Sequence, residues 1–95
     1  MSRKFVLRIV SDAGGRATEH EGRYVVDCDV DARRGRGVLK TSDSPLEARQ
    51  FDNALEAMEY WRRQSNVTPL RPDGQPNRPL TAYSVEVRPL QMATA

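Results

Sequence analysis

The sequence predicts an α+β domain: a small antiparallel sheet of three to four strands, in the order β-β-β-α-β, with one main helix packed on one face. Three observations predict it. Residues 4–10, 23–30 and 38–41 are short runs rich in β-branched residues, separated by glycine-bearing breakers. Residues 44–64 carry two helix-start signals, an apolar stripe at helical spacing and the single tryptophan, Trp61. Residues 80–88 return to period-2 alternation after a segment holding four of the six prolines.

In the first strand, Phe5, Leu7 and Ile9 alternate onto one face and Val6, Arg8 and Val10 onto the other. The mixed second face predicts a central or well-covered strand. Ser11 to Gly15 breaks it, and residues 16–22 read as a polar loop. In the second strand, Tyr24, Val26, Cys28 and Val30 are expected on the core, with Val25, Asp27 and Asp29 on the other face. Residues 31–37 (DARRGRG) read as a hairpin loop whose glycines supply positive φ, leading into a short strand at 38–41 with Lys40 blunting its edge.

The central stretch opens at Ser44-Pro45, where Ser44 and Glu47 suggest a capping box over a short turn, 45–50. A second start at Asp52 or Asn53, with Glu56 three residues beyond Asn53, predicts a helix over 53–64 anchored by Phe51 just ahead of it. Ala54, Leu55, Met58 and Trp61 share the expected core face, with Ala57 on its flank. Glu56, Glu59, Arg62 and Arg63 are expected to face away, and Tyr60 to lie at the rim. A Glu59–Arg63 pair would add about 0.3 kcal/mol. The proline-rich segment 66–79 contains a strong turn tetrapeptide, Arg71-Pro72-Asp73-Gly74. The last strand, 80–88, turns Tyr83, Val85 and Val87 inward, and strand four is expected beside strand one.

Ninety-five residues allow one core, so residues 1–89 are expected to form a single domain with 90–95 as a flexible tail. Fifteen basic and 13 acidic residues leave a net charge of +2, a weak electrostatic signature. Thirteen of the basic residues are Arg, spread along the chain. The one cysteine, Cys28, excludes an internal disulfide and suits a reducing compartment. The N-terminal apolar run, broken by Arg8, is too short for a signal peptide or a membrane span. A cytoplasmic protein with no membrane association is expected.

No grouping carries recognisable catalytic chemistry. Asp27-x-Asp29-x-Asp31 has the start of a calcium loop, but Ala32 and Val38 occupy the positions that need Gly and Glu. His20, the only histidine, lacks a metal or nucleophile motif around it, and Cys28 is expected buried beside two aspartates. No catalytic residue, metal or cofactor is assigned, and an enzyme is not expected. Arg33, Arg34 and Arg36 form a compact basic loop suited to phosphates. Arg62, Arg63, Arg71 and Arg78 are candidates to extend it. Tyr60 and Arg63 are a candidate rim for protein contacts.

The stretch from residue 41 to 64, with Ala48-x-x-Phe51 leading to Ala54, Ala57 and Trp61, resembles small uncharacterised phage and prophage proteins of bacteria. The proline-rich run 69–82 resembles the longer signature of such a family. The resemblance covers about half the chain, carries no catalytic residue, and implies an accessory protein. The functional expectation is therefore a non-enzymatic binding module, acting through protein contacts or as a homodimer. The alternative is a nucleic-acid-binding accessory protein that uses the loop of Arg33, Arg34 and Arg36.

Overall fold

The strand starting at Phe5 takes the centre of the sheet. In the computed structural model, which describes residues 4–90, β1 (Phe5–Asp12) lies between β2 (Tyr24–Asp29) and β4 (Tyr83–Pro89). β3 (Val38–Ser42) lies outside β2, so the four-stranded antiparallel sheet runs β3-β2-β1-β4. The helix Ala54–Trp61 packs over one face, against β1 and β4. The expected neighbourhood of first and last strands is observed. β1 runs two residues further than its apolar pattern, while the last strand begins at Tyr83, after a 3₁₀ turn at Pro79–Ala82 that places Leu80 in the core.

Two bulges correct the simple alternation. Val25 pairs with Thr41, but Asp27 pairs with Lys40, leaving Val26 as the extra residue on β2. The bulge changes parity along β2, so Val25, not Val26, enters the core together with Cys28. Tyr24, expected on the core side, instead lies opposite Arg8, on the face away from the helix. In β1 the extra residue is Val10, between Ile9 and Ser11, and its side chain is exposed. Leu7, Ile9, Val25 and Ala57 are fully buried; Cys28, Val30, Phe51, Tyr60 and Leu80 complete the same cluster.

β2 meets β1 only around Tyr24 and then leaves it. The segment ahead of the helix fills the gap. The Arg49 N–H donates to the Val25 carbonyl, and Phe51 exchanges two backbone hydrogen bonds with Phe5, each 2.9 Å. Phe51 is thus the expected anchor, fixed by backbone pairing as well as by burial. Its position directs the chain into the helix. Asn53 caps that helix by accepting from the Glu56 N–H, while the Glu56 carboxylate accepts from the Asp52 N–H. At Ser44 the box is not closed. Its hydroxyl accepts from Leu46, its own N–H goes to Ser42 Oγ, and the turn there is only Pro45–Glu47.

The helix ends at Trp61, three residues short of the expected end, and its buried side is rotated from the expected one. Ala57 and Tyr60 are buried, whereas Ala54 is exposed and Leu55 is 62% exposed. Trp61 stays partly covered, its Nε1–H donating to the Tyr83 carbonyl at 3.0 Å. Both stripes have helical spacing; the one carrying Tyr60 also brings a hydroxyl to unpaired backbone on β2. The expected tail lies, beyond Leu90, outside the described residues. No described helix is long and apolar enough to cross a membrane.

Candidate functional site

Beyond Tyr24, the side of β2 turned toward β1 has lost its ladder partner, and buried backbone groups left unpaired there would cost about 1–3 kcal/mol each. Tyr60 supplies the remedy. Its hydroxyl accepts from the Cys28 N–H at 2.8 Å and donates to Asp27 Oδ1 at 2.9 Å. Arg63 donates to the Cys28 carbonyl, and its guanidinium lies 4.2 Å from the centre of the Tyr60 ring. Arg49 lies 4.6 Å from the same ring and 3.7 Å from Asp27. Burial raises the Tyr60 hydroxyl pKa above its ordinary value, with the Asp27 carboxylate adding to the rise. Burial also raises the Cys28 thiol; Arg63 opposes this, and Asp27 and Asp29 add to it. Tyr60 and Arg63 therefore hold the sheet together; Tyr60 is buried rather than exposed at the rim, while Arg63 stays exposed beside it.

The other sequence-derived candidates lie past the end of β2. Residues Ala32–Gly35 form a short turn in which Arg33 (φ 52°) and Arg34 (φ 59°) both adopt left-handed backbone. Two consecutive non-glycine residues in that region are strained, at about 1 kcal/mol or more each. What holds them is the proline-rich loop. The Asp31 carboxylate accepts from Ser65 Oγ at 3.0 Å and from the N–H groups of Asn66 and Val67. Those bonds depress its pKa below the usual carboxylate range. Thr68 Oγ1 donates to the Arg34 carbonyl, and Asn77 Nδ2 donates to the carbonyls of Gly35 and Thr68. Gly35 is buried beneath this contact with φ at +89°, and a Cβ there would lie 2.6 Å from Thr68 Cβ.

The loop is itself stitched: Ser65 donates to the Asn77 carbonyl, Asn77 to Pro69, and Arg71 to Gln75. Sequence reasoning missed Asp31, Thr68 and Asn77 as the residues that position the turn. Their only signal was a set of short polar side chains in segments without periodicity.

With the turn docked, Arg33, Arg34 and Arg36 are exposed and line an open hollow of about 330 Å³. A second hollow of about 240 Å³ separates the turn from the proline-rich loop, with Arg34, Arg36 and Arg71 on its walls alongside Thr68 and Asn77. No carboxylate pairs with Arg33, Arg34 or Arg36 among the described residues; Arg71 pairs with Asp73 at 2.9 Å. The structure thus brings Arg71 to the turn. Arg63 is diverted to Cys28 and Tyr60, Arg62 folds its Nε–H back to the Met58 carbonyl, and Arg78 is exposed but lines neither hollow.

His20 is half-buried. Its Nδ1 lies 3.1 Å from Thr41 Oγ1, its ring meets Tyr83 edge-on at 5.5 Å, and Nε2 lies 3.6 Å from Glu19. Thr41 Oγ1 also accepts from Arg23 Nε. No group of three or more His, Cys, Asp or Glu side chains is placed to hold a metal among the described residues. Comparison with family models, curated proteins and solved structures finds no match to this chain.

Proposed function

We propose that this chain is a non-enzymatic binding module whose working surface is the turn of Arg33, Arg34 and Arg36, and whose partner is the phosphate backbone of a nucleic acid. The carrying observation is that these three arginines are exposed, share one hollow and have no carboxylate partner among the described residues. Arg33 and Arg34 also sit on backbone that opposes folding, a cost that sequences keep mainly where the side chains are used. Guanidinium groups bind phosphate by charge and by paired N–H donors.

The test is filter retention of DNA and RNA at low salt. The wild-type chain is expected to retain nucleic acid, and the triple change Arg33→Ala, Arg34→Ala, Arg36→Ala to lose retention while keeping the wild-type circular dichroism. No retention of either nucleic acid at low salt removes the reading.

Self-association is a second reading, favoured by a separate observation. β3 and β4 are both sheet edges, and Val38 on β3 is 42% exposed. A homodimer would pair one of these edges with its copy. Analytical ultracentrifugation across a concentration series tests it, and a monomer at every concentration rules it out.

A further inference from the structure

Resting on the nucleic-acid reading above, we infer that the partner is a duplex, held by its backbone from two loops at once, with Arg71 of the proline-rich loop as the fourth phosphate contact. Proteins that hold single strands stack bases on accessible aromatic rings. The walls of the two hollows are Arg, Gly, Thr, Asn, Leu and Pro, with no aromatic ring among them. The described aromatic side chains lie elsewhere. Phe5, Phe51, Tyr60 and Trp61 belong to the core or pack against it, and Tyr24 is at the far end of β2; Tyr83 borders a neighbouring hollow with Arg36 but packs against the core and is met edge-on by His20. Charge is therefore the main means of recognition in the two hollows, and a duplex, with one phosphate charge per ~1.7 Å of axis, offers the denser target.

Arg71 lines the hollow shared with Arg34 and Arg36 although 35 or more positions separate it from them in sequence. Its guanidinium is shared with Asp73 in an exposed, solvent-screened pair, so a phosphate can take it over. The Gln75 N–H and Arg71 keep Asp73 ionised, which makes it a built-in competitor for the same guanidinium. Asp73 thus trims the affinity that Arg71 contributes.

Fluorescence anisotropy with a labelled DNA duplex, an RNA duplex and the single strand of equal length tests this directly. Both duplexes are measured so that the preferred source is identified. At least one duplex is expected to bind tenfold or more tighter than the single strand. Four phosphate contacts give a log–log salt slope of about −3.6, a weakening of roughly 150-fold between 50 and 200 mM salt. Arg71→Ala is expected to reduce that slope by about one while leaving the thermal melt unchanged. Asp73→Asn is expected to tighten duplex binding by up to about fivefold, and to do so far less in the Arg71→Ala background. Single-strand binding equal to or tighter than both duplexes overturns the inference and leaves the nucleic-acid reading standing. So does a slope that Arg71→Ala does not change. Binding to none of the three probes, or only to phosphatidylserine vesicles, removes the nucleic-acid reading itself.

Discussion

Arginine does opposite work on the two sides of Asp29, the last residue of β2. At the helix junction, Arg63 donates to the Cys28 carbonyl and lies against the Tyr60 ring, so its charge closes an open sheet edge. At the turn, Arg33 and Arg34 sit on left-handed backbone, are exposed and have no carboxylate partner among the described residues. The first region adds to the stability of the fold. The second draws on it, through a loop–loop contact centred on Asp31, Thr68 and Asn77. Residue type therefore says little about role here. What separates the two regions is whether buried backbone nearby needs a donor.

The largest expected effect lies at the junction. Tyr60→Ala removes a buried ring and the only partner of the Cys28 N–H given by this contact, and is expected to cost about 3–5 kcal/mol in urea unfolding. Tyr60→Phe keeps the ring and should cost about 1–3 kcal/mol. If Tyr60→Phe is neutral, the junction is held by packing and the contrast weakens.

Next comes Gly35→Ala, which places a Cβ against Thr68 at a position with φ +89°. About 1–3 kcal/mol of destabilisation is expected, with loss of nucleic-acid binding as the turn is displaced. The same melts, read beside filter retention, check both parts.

Arg34→Gly should move the other way. Relief of left-handed strain is expected to stabilise the fold by roughly 1 kcal/mol while nucleic-acid binding falls. A mutation that stabilises and disarms at once is the sharpest form of the comparison; destabilisation by Arg34→Gly breaks it.

The smallest effect is confined to acid. Asp31 has a depressed folded pKa because it accepts from Asn66, Val67 and Ser65. Its contribution is therefore complete above its unfolded pKa of about 3.9 and is lost as pH falls through the lower folded value. Unfolding curves measured across that window should show stability declining more steeply in the wild type than in Asp31→Asn. Equal declines would remove Asp31 from the contact.

Much of the frame was legible in the residues. Phe5, Leu7 and Ile9 marked a covered strand, Asn53 and Glu56 marked the start of the helix, and Phe51 was readable as its anchor. The helix face was not legible, because the stripe of Leu55, Met58 and Trp61 and that of Ala57, Tyr60 and Trp61 fit helical spacing about equally. Nor was the bulge at Val26, which a one-dimensional alternation cannot display. At the candidate site, Arg33, Arg34 and Arg36 were legible as one loop, but Arg62, Arg63, Arg71 and Arg78 were equal candidates to extend it, and only Arg71 does.

Local rules explain that division. Alternation, caps and turn residues act over a few bonds, so the sequence by itself determined the element order, an α+β class and the N-terminal cap of the helix. The choice between two helix faces was made by unpaired backbone on β2, which exists only once β2 has left β1. The arginine turn took its shape from Thr68 and Asn77, residues that reach it only through the tertiary fold. Which arginines became structure and which stayed free was settled there, because buried backbone groups claim the nearest donor and only the remainder face solvent.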